Sequence, residues 1–393
     1  MSDVHRDARS EASLAMIARE WTRIGILGFG GPPAHIALMR RLCVEQRRWM
    51  TDVEFEDGIA ATNLLPGPAS TQLAIYCAWR LRRIPGAIVG GVGFIVPGLV
   101  TIVALSALFF ARRPPLLVRG AAAGAGAVVA AVALAAAISL VGPSRRRAAA
   151  GKGAFARWSA YLVAGGLTAA LDGEFLVAVL VACGAIEVLA RGVVGRRASS
   201  TNAFAPFVLG TSVTAAGLGA LVWESFKVGA LSYGGGFVII PLMQHDVVHI
   251  DHWMSNAQFL TAVALGQITP GPVVLTVAAV GFAASRFSGA AIATVCGFLP
   301  SFAFVAFGGP YFERLRTSRV AQAVLSGAGP CAIGGIAGSA IPLGLGIAHL
   351  WQVGVLVGGI LWLVVLRRNI VIGLLLAAAF GVIAAAGGLP VAR

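Results

Sequence analysis

EWTRIGILGFGG (20–31) and ESFKVGALSYGG (224–235) are the two stretches that decide the fold of this chain. They fall into register when the sequence is shifted by 204 positions, and the register holds without a gap to about residue 99. RRWMTDVEF (47–55) then lies over DHWMSNAQF (251–259), NLLPGP (63–68) over QITPGP (267–272), and VGF (92–94) over CGF (296–298). Chance similarity between apolar segments matches Leu, Ala and Val. It does not bring Trp49 over Trp253, Met50 over Met254, Phe55 over Phe259 and one Pro-Gly-Pro triplet over another at a single offset. The chain is a duplication, and a repeat of this length sets the architecture before any other feature is weighed.

The medium in which the duplicated unit folds follows from composition. Of 393 residues, 58% are hydrophobic and 12% charged, with a mean hydropathy of +0.85. Soluble domains carry about twice that share of charge. Apolar runs of 20 or more residues recur at 84–110, 116–140 and 320–344, each long enough to cross about 30 Å of hydrocarbon as a helix. Continuous apolar character excludes the alternating pattern of an outer-membrane barrel. The expected fold is therefore an all-α polytopic protein of the inner membrane, with the bilayer as its standing partner. Residues 1–13 are polar and include Asp3, Asp7 and Glu11, unlike the basic-then-apolar order of a signal peptide. A net charge of +14 on a soluble protein would suggest nucleic acid. Here the arginines sit between apolar runs, where Lys and Arg mark cytoplasmic loops, and no nucleic-acid partner is expected. The five cysteines form no CxxC pair, so neither a zinc site nor a disulfide framework is supported.

Local chemistry repeats with the sequence. Thr51-x-x-Glu54 and Ser255-x-x-Gln258 are both capping boxes, and each starts a helix of about a dozen residues that runs into Pro66-Gly67-Pro68 or Pro270-Gly271-Pro272. Proline removes an amide donor and disfavours helix in the residue before it, so each helix ends there. Pro68 and Pro272 are expected at the first position of a second helix. Gly30-Gly31-Pro32 and Gly234-Gly235-Gly236 interrupt another helix in each copy. Broken backbone at membrane depth is tolerated where it lies inside protein or lines water. A kinked packing helix is the other reading of these motifs, and four breaks paired by symmetry favour the functional one.

Loop charge orients the copies. Residues 38–50 carry Arg40, Arg41, Arg47 and Arg48 against Glu45, whereas 242–254 carry no Lys or Arg and instead Asp246 and Asp251 with His245, His249 and His252. The first loop reads as cytoplasmic and the second as external, so the two homologous halves form an inverted-topology repeat. If each Pro-Gly-Pro pair is re-entrant, full spans fall near 84–111, 116–142, 158–172, 174–190 and 206–223, then near 288–311, 320–344, 347–366 and 369–388. An odd number separates the copies, as inversion requires. The N-terminus is then cytoplasmic and the C-terminus external. Loops around Arg80–Arg83, Arg145–Arg157, Arg191–Arg197, Glu313–Arg319 and Arg367–Arg368 fall inside, while Arg112, Arg113 and Arg119 fall outside, against the rule. The domain division is 1–13 as a polar N-terminal segment, 14–195 as the first repeat, 196–223 as linker and connecting helix, and 224–393 as the second repeat.

Inverted repeats with broken helices hold their ligand near the midplane, where half-helix ends point at it. The amides of Ala69, Ser70 and Thr71, and of Val273, Val274 and Leu275, are expected to be free at helix N-termini, which favour anions. Arg23 and Lys227 are equivalent basic residues that could face an anion or snorkel beside Glu20 and Glu224. Asn63 and Gln267 could donate to an oxyanion or cap a helix. His35 is a candidate carrier of a coupling proton or an idle loop imidazole, and Glu20 and Glu224 share that candidacy. His245, His249, His252, Asp246 and Asp251 read as a solvated helix face rather than a metal site. No HExxH, Walker A or nucleophile-elbow motif occurs, so no catalytic role and no cofactor are expected.

FGGPPAHIALM (29–39), RRWMTDVEF, NLLPGP, YGGGFVIIPLM (233–243) and QITPGP together resemble the chromate ion transporter family in its long, two-domain form, over about residues 14–388. The resemblance implies export of chromate from the cytoplasm and resistance to it, driven by the proton gradient or the membrane potential, with sulfate or another tetrahedral oxyanion as the alternative substrate. It implies substrate contacts at Gly30, Gly31, Pro32, His35, Pro66, Gly67 and Pro68, and at Gly234, Gly235, Gly236, Pro270, Gly271 and Pro272. Arg23, Asn63, Ser70, Lys227 and Gln267 join them from the reading of the residues themselves. The second copy lacks the Pro-Pro-Ala-His run, so the halves are expected to differ in role. Association into a homodimer is left open.

Overall fold

The structure is a computed structural model that describes residues 12–63, 65, 67–148, 153–171, 173–192, 217–232, 237, 239–308 and 318–391. Pro66, Gly234, Gly235 and Gly236 lie outside the described residues. All regular structure among the described residues is helical. Helices long and apolar enough to cross a membrane span Ala69–Phe109, Leu116–Arg146, Val273–Phe307 and Arg319–Leu345, with shorter apolar helices at Leu176–Ala190, Leu350–Val365 and Ile370–Ala386. The chain is a multi-pass α-helical membrane protein.

The first copy opens with α1 (Leu14–Leu27), capped by the Ser13 hydroxyl, which accepts from the Met16 amide. α2 (Pro32–Arg40) starts at Gly31, with proline in its first turn, and continues as a π-helical segment, Arg41–Gln46. α3 (Asp52–Thr62) begins at the Thr51/Glu54 capping box, both halves of which form. α4 (Ala69–Phe109) is interrupted at Arg82 and Arg83, where φ of Arg83 is 50°. The second copy repeats this order. α9 (Leu218–Leu231) lies 204 positions after α1, and α10 (Ile239–His245) again runs into a π-helical segment, Asp246–Ile250. α11 (Asn256–Ile268) starts at the Ser255/Gln258 capping box. A 3₁₀ turn, Val273–Leu275, leads into α12 (Thr276–Gly308), which is interrupted at Ser285 and Arg286. Left-handed backbone recurs at the same offset, at Arg48 and His252 and at Gly67 and Gly271. The matched residues are core residues: Met50, Phe55, Met254 and Phe259 are all buried, and Trp49 stacks on Trp21 with ring centroids 6.1 Å apart.

Between and after these units lie α5 (Leu116–Ala127), α6 (Val129–Ala148), α7 (Ala154–Leu171) and α8 (Leu176–Ala190), and then α13 (Arg319–Leu345), α14 (Leu350–Ile360, extended by Leu361–Val365) and α15 (Ile370–Ala386). Two details depart from the sequence reading. The expected span 116–142 divides at Val128, whose amide bonds the Ala125 carbonyl three residues back (3.2 Å). The preceding run is rich in Gly and Ala that serve contact rather than propensity, since Gly120 and Gly124 sit against the backbone of α15. Pro68 and Pro272 are N-caps rather than first helical residues, because their ψ of 101° and 134° keeps them extended. α9 runs without interruption through residue 224, and residues 206–216 lie outside the described residues.

Small residues bring the helices together, as expected where lipid removes the hydrophobic drive for helix association. α1 packs on α4 and α9 on α12, and these contacts are equivalent. A Cβ at Gly25 would stand 2.7 Å from the Phe94 carbonyl, and one at Gly229 would strike the Gly297 carbonyl. Between copies, a Cβ at Gly98 of α4 would strike the Pro270 carbonyl. These partners are backbone and cannot swing aside. Gly229→Leu is therefore expected to lower stability by at least about 1–3 kcal/mol, the usual cost of overpacking, and Gly25→Leu likewise. Thermal unfolding of the purified protein in detergent measures it. Gly354, whose Cβ would meet nothing within 4 Å, is the control position, and Gly354→Leu is expected to leave the midpoint unchanged.

Candidate anion site between the two copies

The helix interruptions of both copies meet around one cavity of about 1110 Å³. The first copy contributes Gly30, Gly31 and Pro32 from the start of α2, Asn63 from the end of α3, and Gly67 and Ala69 from the first Pro-Gly-Pro. The second contributes Gln267 from the last turn of α11, and Thr269, Gly271 and Val273 around the other Pro-Gly-Pro. α6, α13 and the α14–α15 connection complete the wall through Ser139, Gln322, Ser326, Arg367 and Arg368, with Arg191 beyond α8.

Backbone bonds lock the two breaks together. The Gly271 amide donates to the Gly28 carbonyl at the end of α1 (3.0 Å). The same carbonyl lies 2.9 Å from Nε2 of His35, which is fully buried and whose Nδ1 lies 3.2 Å from Ser70 Oγ. A carbonyl only accepts, so Nε2 carries the proton and Nδ1 accepts from the serine hydroxyl. His35 is thus a buried brace joining α1, α2 and α4, with its ring edge-on to Phe94 at 5.0 Å. It stands behind the cavity wall and does not line it.

The polar groups facing the cavity are few. Asn63 is the C-terminal cap of α3 and also lines the cavity, so the two readings of that residue coincide. Gln267 lies inside α11, and its buried Nε2 has no hydrogen-bond partner among the described residues. An unpaired buried donor costs about 1–3 kcal/mol unless something fills its place, which makes this amide the clearest unsatisfied group at the cavity. The amides expected to be free number fewer than the sequence suggests. Thr71 bonds the Pro68 carbonyl (3.0 Å), which Gln72 also reaches, and Leu275 bonds the Pro272 carbonyl (2.9 Å) in the 3₁₀ turn that opens the second copy's helix.

The cations are distributed differently from the sequence expectation. Arg23 is exposed on α1 beside Ala18, Arg19, Thr22 and Ile26, away from the cavity. Lys227 is nearly buried, paired with Glu224 at 2.5 Å and also with Asp246. Glu20, likewise buried, bonds Arg47 at 2.6 Å. Asp246 is therefore engaged rather than part of a solvated face. The rings of His245 and His249 meet at a tilt beside it, with centroids 5.9 Å apart. No group of three metal-ligating side chains occurs among the described residues. The cations at the cavity are Arg191, Arg367 and Arg368. Arg191 also bonds Glu187 (2.8 Å), a carboxylate it shares with Arg157 and the Tyr161 hydroxyl. Arg367 and Arg368 are exposed and have no carboxylate partner among the described residues. Sequence reasoning took all three only as markers of loop side; nothing local ties residues 191 and 367 to one cavity.

The comparisons agree on a family. The chain is 32% identical over 344 residues to the chromate transport protein of Cupriavidus metallidurans, covering 84% of this chain and 82% of that one. It is 28% identical over 349 residues to the probable chromate transport protein of Synechococcus elongatus, covering 86% of each. It is also 28% identical over 358 residues to the chromate transport protein of Pseudomonas aeruginosa, covering 86% of this chain and 84% of that one. No solved structure matches it significantly. The family described as chromate transporter matches residues 15–188 and again 219–383, and the chain belongs to that family.

Proposed function

We propose that the chain is a secondary transporter that carries chromate out of the cytoplasm through the cavity between its copies, conferring resistance to the ion. The observation that carries this reading is what lines the cavity. The helix breaks of both copies line it, with Gln267, whose amide nitrogen is buried and unpaired among the described residues. So do Gly142, Pro143, Ser144, Arg191, Gln322, Arg367 and Arg368. Each of these borders a loop that the positive-inside rule assigns to the cytoplasm. On that assignment the basic residues of the lining stand on the side from which an exported anion must be collected.

The division of labour follows. Arg367 and Arg368, with Arg191, gather a dianion by a long-range field that falls with ionic strength. At the breaks, glycine backbone at Gly30, Gly31, Gly67 and Gly271 allows close approach. The Ala69 and Ser70 amides, Asn63 and Gln267 then replace water around the oxyanion. His35 and Ser70 set the geometry from behind. Arg23 and Lys227, which the residues alone nominated, have no part in this site. The two copies, opened by the equivalent helices α1 and α9, are inverted across the membrane.

Three outcomes test this reading. Cells expressing the chain accumulate less chromate than control cells; equal accumulation counts against export. In proteoliposomes, the double variant Arg367→Gln/Arg368→Gln raises the half-saturating chromate concentration several-fold at low ionic strength and less so near 0.15 M, where the screening length is about 8 Å, while Arg23→Gln leaves it unchanged. Preference for labelled sulfate over chromate in the same vesicles makes sulfate the substrate. For topology, single cysteines at exposed Gln46 and Ile250, in a background without the native cysteines, are treated in intact cells with a membrane-impermeant thiol reagent. Ile250→Cys is labelled and Gln46→Cys is not; labelling of both refutes the inversion.

A further inference from the structure

We infer that Glu224, Lys227 and Asp246 form a proton-binding site on the outer side of the protein that couples proton entry to anion exit. The inference rests on the transport reading above and adds the driving step. Lys227 contacts both carboxylates at once. The side chains of Glu224 and Lys227 are 4% and 12% exposed, and that of Asp246 27%. Oε1 of Glu224 is buried without a hydrogen-bond partner among the described residues. With both acids ionised, the cluster holds two negative charges against one positive charge in a buried place. Two carboxylates sharing a site do not both stay ionised readily, and an uncompensated buried charge is costly. One exchangeable proton on the pair removes the imbalance.

The first copy shows what the cluster has gained. Glu20 stands where Glu224 stands and is closed one-to-one by Arg47. At the shared offset of 204, Leu42 corresponds to Asp246 and Arg47 to Asp251. The second copy has thus exchanged a leucine and an arginine for two acids, while its lysine has turned inward and the equivalent Arg23 faces outward. Other charged groups near the cluster do not restore the balance. Asp251 and His252 lie just beyond Asp246, within electrostatic reach, and His245 and His249 share its segment. α12, packed on α9 at Gly297 and Gly229, brings one cation, Arg286, held at its break beside the Phe110 carbonyl (3.4 Å), and the thiol of Cys296.

Position connects this site to transport. Residues 242–254 are acidic where the first copy is basic, which the positive-inside rule assigns to the outside, opposite the loops that carry Arg191, Arg367 and Arg368. The helix that carries Glu224 and Lys227 continues to Gly229, whose carbonyl lies 3.3 Å from where a Cβ of Gly67 would stand, at the cavity wall. Protonation of the pair loosens its hold on Lys227 and so acts on the helix that touches the anion site.

Two measurements on the purified full-length protein test this. Infrared spectra titrated between about pH 5 and 9, across the range in which a raised carboxyl would titrate, show in the wild type a buried protonated carboxyl that Glu224→Gln or Asp246→Asn removes and Glu20→Gln does not. Absence of such a carboxyl in the wild type overturns the proton site. In proteoliposomes with the membrane potential clamped, a difference of one pH unit drives chromate accumulation up to about tenfold for each coupled proton. Glu224→Gln and Asp246→Asn both exchange chromate across the membrane but accumulate none. Tenfold accumulation by the variants overturns the coupling role. Chromate immobile in the wild type under every gradient refutes the transport reading instead, and the infrared titration still decides the proton site. Either variant suffices should the other fail to fold.

Discussion

The carbonyl of Gly28 is the point on which the arrangement turns. It ends α1 of the first copy, and a carbonyl freed by a helix end inside a membrane protein needs donors from elsewhere in the protein. Two reach it: the Gly271 amide of the second copy's Pro-Gly-Pro and Nε2 of His35. Neither donor is local to α1. The end of one copy's helix is therefore satisfied by the break of the other, and neither break is complete alone. Proline makes this possible by ending each helix early, and left-handed Gly271, with φ of 96°, turns the chain so that its amide points across the copy boundary. The cavity is what remains around two chain ends that have been pinned but not sealed.

That constraint explains the distribution of glycine. Pinning backbone to backbone demands that helices approach without side chains between them, and Gly25 and Gly229, or Gly98 against Pro270, occupy such crossings. Shape is set in this way by what is absent from the side chains, and the polar work falls to few groups. Interhelical polar contacts in membranes contribute about a kcal/mol each. The brace of His35 and Ser70 accordingly positions the wall rather than supplying the bulk of stability.

The repeat, the capping boxes and the ends of α3 and α11 were legible in the sequence because each rests on neighbours within four residues or on one fixed offset. The Thr51/Glu54 and Ser255/Gln258 boxes form as their spacing requires. Placement of charge was not legible, because it depends on contacts between distant segments. Arg23 and Lys227 hold equivalent positions, yet one faces outward and the other is buried, and the difference lies at position 246, where an aspartate reaches Lys227 and the equivalent leucine of the first copy cannot. Arg191, Arg367 and Arg368 carried a loop signal in the sequence, and only the packing of α13 against the α6–α8 region, with α14 against α6, brings them to one cavity. Gln267 looked like a cap beside Asn63, but α11 runs two residues further than α3, so Gln267 lies within the helix, lines the cavity and keeps a buried, unpaired amide nitrogen.

Duplication gives two equal halves, whereas directional transport needs them unequal. The inequality here traces to a handful of positions in one segment. Replacing the arginines of 38–50 by the acids and histidines of 242–254 reverses the charge that decides which side of the membrane a loop occupies. The same replacement removes the counter-ion that closes Glu20 in the first copy and sets a second carboxylate on Lys227 in the second. The proposed orientation and the charge imbalance thus trace to one change. A segment cannot acquire that acidity without also altering the balance around the buried glutamate beside it. On the proposed topology, the proposed proton site and the basic residues of the cavity wall fall on opposite sides of the membrane, because both assignments follow from the same rule of charge acting on two copies of one unit.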